Sequence, residues 1–80
     1  MSKNIVITGT SRGIGFELAK QFAENGHQVL ALSRNSAPLS AINHENITVL
    51  SVDISSAEDL HKVSNFIKNT WKKVDVLINN

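Results

Sequence analysis

Cysteine is absent from the 80 residues, so this chain can form no disulfide, offers no thiol nucleophile and holds no Cys-based zinc site. The histidines His27, His44 and His61 lack the helical or short-loop spacing of metal ligands, and no metal site is expected of them. Net charge is nearly missing too. Eight Lys and Arg against seven Asp and Glu leave +1, which gives no bulk attraction for nucleic acid or a membrane surface. No apolar run approaches the roughly 18 residues of a membrane span. Met1 to Asn4 lead straight into a strand with no room for a signal peptide, so a cytoplasmic location is the default expectation. Repeats and low-complexity tracts are also lacking. What remains, at 41% hydrophobic residues, has the composition of one globular domain or part of one.

The glycines are few, four in all, but three of them fall within the seven residues Gly9 to Gly15. The β-branched run Ile5-Val6-Ile7 precedes them and a helical apolar pattern from Gly13 to Asn25 follows. Strand, glycine loop and helix thus succeed one another directly. The first N–H groups of such a helix have no intrahelical partner, and the aligned peptide dipoles leave partial positive charge there, so an anion is favoured. By analogy with dinucleotide folds, Gly9 allows the sharp exit from the strand, Gly13 the close approach of a pyrophosphate, and Gly15 tight packing of helix on sheet. The spacing G-x-x-x-G-x-G excludes a Walker loop, because no Gly-Lys pair exists in the chain. It also departs from G-x-G-x-x-G, whose third glycine would fall at Leu18.

Strands are expected at Ile5 to Thr8, Val29 to Ser33, Ile47 to Val52 and Val74 to Asn79, with helices at Gly13 to Asn25 and Ala57 to Lys72. In the first helix Ile14, Leu18 and Phe22 recur every four residues beside Ala19 and Ala23, and Gly26 stands where a helix C-terminal glycine belongs. The second opens on a capping-box pattern from Ser55 to Glu58 and places Leu60, Val63, Ile67 and Trp71 on one stripe. Asn35 to Asn46, with Pro38, is short for a crossover and leaves room for at most a brief helix around Leu39 to Ile42. Alternating elements and right-handed crossovers predict an α/β fold, a Rossmann-like three-layer α/β/α arrangement with a parallel sheet of order 3-2-1-4. Ligands bind such sheets at the carboxyl ends of the strands beside the switch point, where Gly9 to Gly15 lie.

A site that prefers NAD usually carries an acid about 20 residues beyond its glycines to hold the ribose 2′-OH. Here no acidic residue occurs between Glu24 and Glu45. Arg34, in Ser33-Arg34-Asn35, offers a planar donor fork suited to a 2′-phosphate, and Arg12 inside the glycine loop adds a second. NADP(H) is therefore expected in preference to NAD(H). Asp53 lies at the same sheet edge, where its carboxylate can accept from an adenine amine or serve to turn the chain and cap the next helix.

With these residues in hand, the chain resembles the short-chain dehydrogenase/reductase family. The matches are Thr8-Gly9-x-x-x-Gly13-x-Gly15, Asp53-Ile54 after the third strand, and Asp75-Val76-Leu77-Ile78-Asn79-Asn80, which is similar to the start of the family's Asn-Asn-Ala-Gly stretch. The resemblance implies that Gly9, Thr10, Ser11, Arg12, Gly13, Ile14 and Gly15 cradle the pyrophosphate and that Ser33, Arg34 and Asn35 surround the 2′-phosphate. It implies further that Asp53 and Ile54 line the adenine and that Asn79 and Asn80 approach the ribose, with Thr8 and Asn79 bracing strands. Family chemistry is hydride transfer between the nicotinamide and a small-molecule carbonyl or alcohol, with a Tyr activated by a Lys four residues on. The chain has no Tyr. It is therefore expected to be the N-terminal portion, residues 1–80, of one dinucleotide-binding domain, inactive alone and homo-oligomeric when complete. A noncatalytic dinucleotide sensor and a stand-alone nucleotide-binding module are the competing readings.

Overall fold

The computed structural model describes residues 2–9, 13–34 and 44–79. Strand β1 (Asn4–Thr8) leads to helix α1 (Gly13–Glu24) and strand β2 (Gln28–Ser33); then come β3 (Ile47–Ser51), helix α2 (Ala57–Phe66), a π-helical turn (Ile67–Trp71) and β4 (Val76–Ile78). The strands form one parallel sheet in the order β3-β2-β1-β4, as the alternating pattern predicted. The expected brief helix around Leu39 to Ile42 lies outside the described residues.

Alternation along the strands divides the core between two faces. Ile5, Ile7, Val29 and Ala31 face α1, joining its Ala19 and Ala23, with Phe16, Leu18, Phe22, Val76 and Ile78 packed around them. Val6, Leu30 and Leu32 face the other way with Val52 and Val63, against Phe66, Ile67 and Trp71. The buried seam of α1 is Gly15, Ala19 and Ala23, rather than the larger Ile14, Leu18 and Phe22 of the expected stripe. Small residues at this spacing let the helix approach the sheet closely, while Leu18 and Phe22 wedge in at the sides. Ile14, at 72% exposure, stands clear of the sheet.

The end of α1 is set by Gly26. Its φ of 90° lets the Gly26 N–H reach the Ala23 carbonyl and the His27 N–H reach that of Phe22, the two bonds of a Schellman motif. The motif's usual apolar contact is here an edge-on meeting of the Phe22 and His27 rings, 6.0 Å apart.

Helix α2 starts at Ala57 as expected and departs from expectation in its cap and its end. Ser56, not Ser55, is the cap, its side chain accepting from the Asp59 N–H. Ser55 is drawn into the preceding turn, where its N–H and hydroxyl both donate to Asp53 Oδ1, at 2.9 and 2.7 Å. The regular helix ends at Phe66, and the π turn adds a residue that brings Trp71 edge-on to Phe66 with ring centres 5.4 Å apart. Trp71 thus closes the second core layer. Leu60, expected on the buried stripe, is 47% exposed.

Candidate functional site

Because every strand is parallel, the carboxyl ends of all four meet along one edge, and α1 begins there as well. The edge carries Thr8 and Gly9 from β1, Ser33 and Arg34 from β2, Asp53 and Ile54 beyond β3, and Asn79 beyond β4. Residues 71 positions apart are brought within hydrogen-bond distance: Thr8 Oγ1 donates to Asn79 Oδ1 at 3.0 Å. The bond spans the switch point between β1 and β4, and it gives both residues the bracing role expected of them.

Gly9 and Gly13 have φ values of 64° and 71°, in the left-handed region that L side chains rarely adopt. Among the described residues, a Cβ at Gly13 would meet nothing within 4 Å. Gly13 opens a 12-residue helix whose first turn holds no acidic residue. No acidic side chain in that turn offsets the partial positive charge of the helix start, which is the charge an anion would meet. Gly15 is buried against the sheet, as its proposed packing role requires. Thr10, Ser11 and Arg12 lie outside the described residues.

On the far side of the edge, Ser33 is 7% exposed and pairs with Ser51 in the β2–β3 ladder, whereas Arg34 is exposed and has left the strand. Asp53 is held in its turn. The bonds from Ser55 keep its carboxyl below the usual carboxylate range, with a further contribution from the positive charge of Arg34. Its backbone N–H donates to Asp59 Oδ2 at 2.8 Å, which ties the turn to α2. Of the two roles open to Asp53, chain turning is therefore realised. Ile54 is 53% exposed beside it, an apolar surface at the sheet edge. Asn35 and Asn80 lie outside the described residues. No group of His, Cys, Asp and Glu among the described residues could hold a metal ion. Nor is any helix among them long and apolar enough to cross a membrane.

Sequence reasoning gave Ser55 to a helix cap rather than to the Asp53 turn, and it passed over Ser51. The hydroxyl of Ser51 donates to the Arg34 carbonyl at 3.1 Å, a contact that only the register of β2 on β3 reveals.

A family model described as short chain dehydrogenase matches residues 3–80. Among curated relatives, the NADP-dependent 3-hydroxy acid dehydrogenase of Salmonella typhi is 30% identical over 79 residues, spanning 95% of this chain and 32% of that protein. The chain thus covers about a third of that relative's length. Among solved structures, ElxO with NADP bound superimposes with a TM-score of 0.82 at 34% identity, covering 100% of this chain and 35% of ElxO. A short chain dehydrogenase of Leptospira borgpetersenii with bound NAD+ gives 0.86 at 25% identity, covering 99% of this chain and 31% of that one.

Proposed function

The chain belongs to the short-chain dehydrogenase family, and on that premise we propose that it supplies the NADP(H)-binding face of an oxidoreductase acting on a small-molecule carbonyl or alcohol. The observation that carries the reading is the pairing of an acid-free helix start at Gly13 with an exposed Arg34 at the neighbouring strand end. The first suits a pyrophosphate and the second a 2′-phosphate. NADP-dependent and NADP-bound relatives support the same choice.

In this reading Gly9 to Gly15, with Thr10, Ser11 and Arg12, cradle the pyrophosphate. Ser33, Arg34 and Asn35 surround the 2′-phosphate. Asp53 and Ile54 border the adenine, Ile54 through its exposed apolar side chain and Asp53 by fixing the turn. Asn79 and Asn80 approach the ribose, Asn79 being oriented by Thr8. When bound, the cofactor supplies hydride exchange with a carbonyl or alcohol carbon. These residues place it, and the tyrosine that serves the family as proton donor does not occur among the 80 residues. We assign the 80 residues to the N-terminal part of one dinucleotide-binding domain, inactive without the family's Tyr and Lys.

The test is cofactor titration of the protein that carries this chain. Arg34→Asp places an acid where the 2′-OH of NAD(H) can use it and a 2′-phosphate is repelled. NADPH affinity is expected to fall at least about tenfold, roughly 1.4 kcal/mol, with NADH affinity equal or improved. Unchanged NADPH affinity would sink the assignment.

A further inference from the structure

Consecutive residues at the exit of β3 hold the exit of β2. The carbonyl of Ser33, the residue opposite Ser51, accepts from the Val52 N–H at 2.9 Å. One residue on, Arg34 has left the ladder, and its carbonyl accepts a side-chain proton from Ser51 Oγ at 3.1 Å. The two peptide groups flanking the Arg34 Cα are therefore both anchored to β3, one by a backbone donor and one by a hydroxyl. With both planes fixed, the Cα–Cβ bond of Arg34 has one direction. Asp53, two residues past Ser51, lies within the electrostatic reach of Arg34. Ser51 is itself exposed, so its hydroxyl has no packing duty that alanine would fail to meet.

We infer that Ser51 is a positioning residue for cofactor selection, its hydroxyl aiming Arg34 at the 2′-phosphate of NADP(H); the inference rests on the reading of Arg34 given above. Removing the hydroxyl leaves the Val52 bond and the strand pairing in place and frees only the peptide after Arg34. The loss therefore falls mainly on the phosphorylated cofactor, because NAD(H) offers Arg34 only a neutral 2′-hydroxyl where NADP(H) offers a charged phosphate.

Calorimetric titration with NADPH and NADH, on the protein carrying this chain and on S51A, S51T, R34A and the S51A/R34A double variant, tests the inference. S51A is expected to weaken NADPH about three- to tenfold, the worth of one modest hydrogen bond expressed as an affinity ratio. NADH affinity and thermal midpoint stay at the parent values. S51T keeps the hydroxyl and restores the preference. In the R34A background, S51A changes nothing further, as expected when one residue acts through the other. Equal losses for both cofactors in S51A, or a loss that persists without Arg34, would show that Ser51 serves the fold alone and overturn the inference. An unchanged NADPH to NADH ratio in R34A would bring down the reading of Arg34 first and the role of Ser51 with it. The R34A variant by itself tells the two failures apart.

Discussion

Gly13 and Gly26 share a backbone conformation and differ in what lies around it. Both have positive φ, 71° and 90°, and at both an added Cβ would meet nothing within 4 Å among the described residues. The cost of alanine at either is therefore backbone strain rather than collision, about 1–2 kcal/mol. For a chain of this size that corresponds to a fall in thermal midpoint of roughly 4–16 °C, which calorimetry would register. The two should separate in binding. Gly26 closes the far end of α1, so G26A leaves NADPH affinity alone, whereas G13A places a Cβ at the helix start and should weaken NADPH by about tenfold or more. Equal binding losses in both variants would argue that Gly13 merely shapes the turn. Arg34 belongs to the same scale: the missing acid between Glu24 and Glu45 was visible in the sequence, but the hydroxyl that fixes Arg34 was not. Spacing along one strand shows which residue reaches the edge; a cross-strand contact depends on register.

At the scale of elements, the order of strands and helices was legible because continuous apolar runs mark strands buried on both faces and a 3.6-residue period marks helices buried on one. What was misjudged depended on competition among neighbours. Ser55-x-x-Glu58 and Ser56-x-x-Asp59 both read as helix starts; Asp53 decides between them by capturing Ser55. The same kind of competition hides the clamp between β1 and β4. Asp75 Oδ2 accepts from the Asn4 N–H at 2.8 Å, the Asp75 N–H donates to the Asn4 carbonyl at 2.9 Å, and Lys73 Nζ stands 3.3 Å from Oδ1. The bond from Asn4, aided by Lys73, holds the Asp75 carboxyl below its ordinary 3.8. A carboxyl whose folded value is depressed stabilises the fold above the unfolded value and loses that contribution as pH falls through the folded one. Stability should accordingly drop below about pH 4. In D75N, which keeps an acceptor and loses the charge, this part of the acid sensitivity should vanish. Thermal melts between pH 5 and pH 2.5, with the Asp75 carboxyl followed by NMR, would check it; a titration midpoint at or above 3.8 would remove the clamp's electrostatic role.

For the whole molecule the decisive asymmetry is between the two faces of the sheet at β4. Val76 and Ile78 pack into the layer under α1. Leu77, which pairs in register with the buried Val6, points to the opposite layer and is 67% exposed. Val6 is covered there by the cluster that includes Val63 of α2, and among the described residues that cover does not extend to Leu77. Beside it, β4 pairs with β1 alone among the described strands, so its outer edge offers unpaired backbone donors and acceptors next to an apolar side chain. A chain of this size buries only about 60% of the surface it exposes when unfolded, which leaves little stability to oppose association. The 80-residue chain on its own is therefore expected to self-associate through this edge. Sedimentation velocity across a concentration series should show species heavier than the 8.7 kDa monomer. Leu77→Lys should shift the distribution toward monomer, since a charge beside an open edge is disfavoured on pairing. The same substitution at Leu60, 47% exposed but on helix α2 rather than on a strand, should not. A monodisperse monomer with a cooperative melt in the parent chain, or equal effects of the two lysines, would mean that the β4 edge does not drive association.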